Sequence, residues 1–159
     1  MEPSSGTRGP ISRARSIEAF GPGRAFELVF TNGCFDVLHE GHVALLRHAA
    51  ELGDRLLVGL NSDGSVRRLK GPGRPVRGAA RRARALLALG LVDAVTVFDE
   101  DTPRALIEAL RPDVLVKGAD YALADIVGRE VVEGSGGRVV RVPLVPGVST
   151  SALLDDGQA

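Results

Sequence analysis

Apolar positions along this chain follow two alternating rhythms. Short apolar runs, centred on Leu28-Val29-Phe30, Leu56-Leu57-Val58, Val95 to Phe98, Val114-Leu115-Val116 and Val139-Val140, have the length and β-branched character of strands buried on both faces. They predict strands over 27–31, 55–60, 94–98, 113–116 and 138–142. Between them, apolar residues recur at helical spacing. Helices are predicted over 41–52, closed by Gly53, and over 79–89, closed by Gly90. Thr102-Pro103 reads as a cap-plus-proline start for a helix that runs to Leu110 and is stopped by Arg111-Pro112. Shorter helices are expected through Val66 and Leu69, over 128–134, and behind Ser149-Thr150-Ser151 through Leu154. Lys70-Gly71-Pro72-Gly73-Arg74-Pro75 is a cluster of helix and strand breakers and reads as a loop.

Strands alternating with helices at this spacing predict an α/β fold, a Rossmann-like open parallel sheet of about five strands with helices on both faces. Right-handed crossovers place every loop that follows a strand at one edge of that sheet. Residues 26–155 are expected to form this domain, with a flexible extension over 1–25 and a short tail over 156–159.

Composition narrows the partners. Twenty basic residues balance twenty acidic ones, which gives no general attraction to nucleic acid or to a membrane surface. No apolar run approaches the ~18 residues of a bilayer span, and the single cysteine, Cys34, leaves no internal disulfide to form. A cytoplasmic protein is expected. The basic residues are almost all arginine, and against that bias stand two lysines (Lys70, Lys117), two asparagines (Asn32, Asn61) and one tyrosine, Tyr121. Residue types that persist against such a bias are the ones chemistry is expected to require.

The richest stretch runs from Thr31 to His42, TNGCFDVLHEGH. A strand that ends in a turn and opens a helix aims backbone N–H groups and the positive end of the helix dipole at one point, a site for phosphate. His39 and His42 stand three residues apart beside it, with Gly41 leaving room for a close approach. Neutral imidazoles donate hydrogen bonds to phosphate oxygens, and protonated ones also offset charge on a departing pyrophosphate. Two histidines at this spacing lack the further ligands of a zinc site, and His48 lies outside the pattern. The basic run from Arg67 to Arg84 contains no acid. It reads as partly a field for a triphosphate and partly a solvated helix face.

This stretch resembles the signature of the cytidylyltransferase-like nucleotidyltransferases. Asn61-Ser62-Asp63, Arg68-Leu69-Lys70-Gly71, Arg74-Pro75-Val76, Val116 to Tyr121 and Gly147-Val148-Ser149-Thr150 resemble, in the same order, the adenylyltransferases of ADP-heptose synthesis. The resemblance implies transfer of AMP from ATP to D-glycero-D-manno-heptose 1-phosphate with release of pyrophosphate. It also implies Mg²⁺ carried by the substrate phosphates, a separate heptose kinase and phosphatase upstream, and a possible homodimer. By position, it implies that His39, His42 and Lys70 act on the reacting phosphates. Thr31, Asn32, Gly33, Cys34 and Phe35 would cradle the α-phosphate through the main chain, with Cys34 a turn residue and no nucleophile. Arg82, Ser149 and Thr150 would bind the outer phosphates. Asp36, Asn61, Asp63 and Arg74 would meet the sugar phosphate, and Lys117, Gly118, Asp120 and Tyr121 would form a wall for nucleotide or sugar. Ala79-Ala80 stand where the family tends to carry an acid before the helix of Arg82, so that arginine lacks its expected partner. Sister reactions on glycerol, flavin or pantetheine phosphates are the alternatives, with a non-catalytic nucleotide-binding module behind them.

Overall fold

The computed structural model describes residues 9–143. Its elements in chain order are α1 (Arg13–Phe20), β1 (Leu28–Gly33), α2 (Glu40–Ala50), β2 (Arg55–Asn61), α3 (Asp63–Lys70), α4 (Ala79–Ala88), β3 (Ala94–Phe98), α5 (Arg104–Leu110), β4 (Val114–Gly118), α6 (Arg129–Gly134) and β5 (Arg138–Val142). A single 3₁₀ turn at Leu123–Asp125 lies between β4 and α6. The five strands form one sheet in the order β3-β2-β1-β4-β5, and every neighbouring pair is parallel. The expected fold class is the one observed.

Period-two alternation divides the core. Val29, Leu56, Val58 and Leu60 pack with α2 and α4 on one face of the sheet. Leu28, Phe30 and Leu57 pack with Leu106, Ile107 and Val132 of α5 and α6 on the other. Gly59 admits the Phe30 ring: a Cβ there would stand 2.7 Å from Phe30 Cζ.

The chain before β1 departs from expectation. From residue 9 onward the predicted flexible extension is folded. Ser12 caps α1, its hydroxyl accepting from the Arg15 N–H, and Ser16 is fully buried. Ile17 and Phe20 join the α5/α6 core, and Ile11 makes a parallel bridge to Thr96 on the outer side of β3. Arg24 then locks the segment down, donating to the carbonyls of Leu110 and Arg111 and pairing with Asp113 at 2.9 Å. A segment poor in apolar residues is held by a few well-placed ones and by a guanidinium on the end of α5.

Two smaller differences bear on function. β1 runs to Gly33 and β4 to Gly118, two residues beyond the predicted ends. Lys70 is the last residue of α3 rather than part of the loop behind it. The predicted helix behind Ser149-Thr150-Ser151 lies outside the described residues. No helix among those described is long and apolar enough to cross a membrane.

Candidate active site

The strand order reverses between β1 and β4, and ligands of open α/β sheets bind outside the carboxyl ends of strands at such a point. Here the sheet opens physically. β1 pairs with β2 as far as Gly33–Leu60, whereas its pairing with β4 ends at Phe30–Leu115. Side chains bridge the gap. The buried Thr31 hydroxyl donates to the Val116 carbonyl at 2.7 Å, and the Lys117 ammonium donates to the Asn32 carbonyl at 3.1 Å. Thr31, Asn32 and Gly33 are thus strand residues, and the turn itself begins at Cys34. The Thr31 hydroxyl fastens β1 to β4.

The turn delivers the chain to α2 through its two histidines. Phe35 adopts φ 46°, a left-handed conformation that is unusual for a bulky residue. Its fully buried ring meets the His42 ring edge-on, with centroids 5.1 Å apart. His39 caps α2: its Nδ1 accepts the Gly41 N–H at 3.0 Å, and His42 Nδ1 accepts the His39 N–H at 3.4 Å. This is a capping box built from two imidazoles. The rings stack 3.9 Å apart at 19°. Because each Nδ1 faces a backbone N–H, each neutral ring carries its proton on Nε2. The buried Nε2 of His42 has no hydrogen-bond partner among the described residues. Burial, with help from His39 and Lys70, lowers the His42 pKa from 6.5 to about 3. At neutral pH the ring is therefore uncharged, with its proton on Nε2.

Two residues expected on substrate are committed to the protein. Asp36, almost fully buried, accepts from the backbone N–H groups of Val76 and Arg77 at 2.8 and 3.0 Å and from Arg74 Nε at 2.9 Å. Burial alone would raise its pKa, but these donors outweigh it and hold the carboxyl below its usual range. Asp36 and Arg74 therefore tie the 74–77 loop to the turn, where the resemblance places them on the sugar phosphate. Arg82 is likewise buried. Its guanidinium donates to the carbonyls of Arg77, Cys34 and Asn61 at 2.8, 2.8 and 2.9 Å, and to Asp63 Oδ1 at 2.7 Å. With four of about five guanidinium donors used, it is a clamp joining three loops, where the resemblance places it on the outer phosphates. Asp63, across the site, supplies the acid that Ala79-Ala80 do not.

Cys34 is buried and its carbonyl is held by Arg82. Burial raises the thiol pKa, even against the nearby Lys70, Arg82 and Lys117 cations, as expected of a turn residue. On the far side of the opening, Lys117 lies 4.5 Å over the Tyr121 ring. Burial lowers its pKa to about 8, with Asp120 and Cys34 pulling the other way. Burial, with Asp120 and Cys34, also pushes Tyr121 up to about 12. Asp120 folds back over Gly118, its Oδ1 2.6 Å from where a Cβ would stand.

Lys117 and Tyr121 also line a cavity of about 170 Å³ together with Asn32 and Asn61. The structure thus gathers four of the five rare residues at one place. The Asn61 side chain donates to Ser65 Oγ at 3.0 Å. Asp101, Thr102 and Asp125 complete the polar lining and were missed from sequence. In sequence Thr102 carries only the signal of a helix cap, and the rule that polar loops share one sheet edge is what places 99–103 beside the motif. Ser149 and Thr150 lie outside the described residues.

The comparisons agree with this geometry. The family model described as cytidylyltransferase-like matches residues 30–151. A protein of Mesorhizobium japonicum named "Bifunctional protein HldE" is 59% identical over 143 residues, covering 90% of this chain and 29% of its own length. The protein of the same name from Koribacter versatilis is 58% identical, covering 82% of this chain and 27% of its own. The chain thus spans less than a third of the length of these relatives. Among solved structures, a lipopolysaccharide core biosynthesis protein from Thermoplasma volcanium superposes with a TM-score of 0.62 at 24% identity, over 76% of this chain and 98% of that one; at that identity it speaks for the fold. The model match and the paired histidines at the sheet opening lead to one conclusion: the chain belongs to the cytidylyltransferase-like family of nucleotidyltransferases.

Proposed function

We propose that this domain transfers the adenylyl group of ATP to D-glycero-D-manno-heptose 1-phosphate, giving ADP-heptose and pyrophosphate. The observation that carries the chemistry is the imidazole capping box, which turns a strand-to-helix junction into a preset donor site for phosphate oxygens. The identity of 58–59% to the two HldE proteins and the heptose-type Lys117 loop support the choice of acceptor.

A phosphate monoester is already a nucleophile, so the site needs no strong base. A sugar phosphate oxygen attacks the α-phosphorus in line. A new P–O bond forms, the bridging bond to the β-phosphorus breaks, and pyrophosphate departs with the electron pair. The protein supplies positioning and charge complementarity. His39 and His42 donate to phosphate oxygens on which charge grows. Lys70 acts on His42 and Cys34 as a neighbouring cation, and Lys117 acts on Cys34, so two positive charges flank the turn. Among the described residues no group of three or more His, Cys, Asp or Glu could hold a metal ion. A Mg²⁺ carried by the triphosphate would neutralise charge on the leaving group.

Pyrophosphate release across a panel of nucleoside triphosphates and phosphorylated acceptors tests the reading. Turnover is expected with ATP and the heptose 1-phosphate. Turnover with CTP and glycerol 3-phosphate in its place would overturn it.

A further inference from the structure

The cavity beyond Lys117 lies on the α5/α6 side of the opening, across the sheet edge from the histidines, and its walls differ from theirs. Its 170 Å³ is room for about six waters at ~30 Å³ each. That is room enough for one sugar ring. Asp125, the Thr102 hydroxyl and Asp101, which also accepts from Arg68 Nε at 2.9 Å, present acceptors that attract O–H donors. Ile126 and Val127 offer an apolar wall for the C–H face of a ring.

Two independent features mark this cavity as a place where a ligand sits. Both asparagines of the chain, its only tyrosine and one of its two lysines converge here, in a sequence that otherwise uses these residue types nowhere but at Lys70. Leu69 and Val127, among the large apolar side chains left exposed at 49% and 36%, also line it. The cavity is polarised: Lys117 lies toward the Cys34 turn, while the carboxylates belong to the loops that follow β3 and β4.

Resting on the adenylyltransferase reading, we propose that this cavity is the acceptor pocket. The hydroxyl-bearing body of a sugar 1-phosphate packs on Ile126 and Val127 and donates to Asp125, Asp101 and Thr102, while its phosphate points to Lys117. The triphosphate is left to the histidine side. Acceptor specificity then lies in the loops after β3 and β4 rather than in the histidine turn.

Asp125→Asn and Thr102→Val, both at exposed positions, test this in the full chain, with an unchanged thermal midpoint as the check on folding. The KM for the sugar 1-phosphate is read at saturating ATP, and the affinity for a non-hydrolysable ATP analogue is read separately by calorimetry. Asp125→Asn is expected to raise the acceptor KM at least about tenfold and Thr102→Val about threefold to tenfold, with analogue affinity within about twofold of wild type. Variants with an unchanged acceptor KM, or with analogue binding weakened instead, overturn the pocket assignment while wild-type turnover leaves the adenylyltransferase reading standing. Wild-type turnover restricted to acceptors that are not sugars overturns both.

Discussion

The two sides of the sheet opening are built on opposite plans. On the α2/α4 side the polar groups are largely bound to one another: Asp36 holds the 74–77 loop, Arg82 holds three loops, and the two histidines cap α2 by holding each other's neighbourhood. On the α5/α6 side, Asp101, Thr102 and Asp125 stand exposed on loops, Asp101 with a single exposed ion pair to Arg68, and apolar side chains meet water. The first plan suits a transition state that must meet fixed donors. The second suits the part of a substrate that varies between relatives, since exposed loop residues can change without cost to the core.

The comparison breaks most sharply at His42. His42→Ala is expected to lower kcat by about 10²–10³, the usual effect of losing one preset donor, with little change in the KM for ATP. The same residue gives the fold an acid limit. Its folded pKa of about 3 lies below the ordinary 6.5, so the unfolded chain takes up a proton that the folded chain refuses. Stability is complete above pH 6.5 and falls as pH drops toward 3, by at most about 1.4 kcal/mol per unit. Denaturant melts across that range should show the slope in wild type and lack this component in the variant.

Arg82 gives the next largest effect and separates a clamp from a ligand. Arg82→Lys leaves the buried carbonyls of Cys34 and Asn61 short of donors, at a cost of about 2–4 kcal/mol in stability. A fall of about tenfold or more in kcat/KM should accompany it through displacement of the turn. A variant with wild-type stability and a steeply raised KM for ATP would return Arg82 to the phosphates.

The smallest effect is the mildest perturbation, pH. With Lys117 titrating at about 8 in the free protein, its charge is present below that pH and lost above it. The acceptor kcat/KM should decline above pH 8 by tenfold per unit at most. Lys117→Met should flatten the alkaline limb, and by removing a buried charge it should leave the thermal midpoint unchanged or higher.

Much of this was legible in the chain. Each strand run predicted a strand, and the edge rule predicted which loops would meet. Residue roles were less legible, because sequence shows which groups converge but not which of them satisfy each other. Asp36, Arg74 and Arg82 carry the right charges for substrate, yet in three dimensions each lies within reach of a protein partner brought from 19 to 48 residues away. Asp101 and Asp125 sit in no motif, and only the cavity reveals them. The fold of residues 9–25 is hard to read from sequence because three apolar side chains and two arginines dock it.

That docked segment also governs how copies of the protein treat each other. A sheet ending in an unguarded β-strand is a template for the next molecule. β5, at one margin, carries Arg138 and Arg141, whose charge discourages such pairing. β3, at the other margin, reads Ala94-Val95-Thr96-Val97-Phe98 and has no charge of its own. Ile11, donating its N–H to the Val95 carbonyl at 2.8 Å, occupies that margin instead. Trimming the chain to the boundary that sequence alone suggests would leave the catalytic turn intact and uncover a self-complementary ribbon. The expected consequence is a protein that aggregates rather than one that is merely less active.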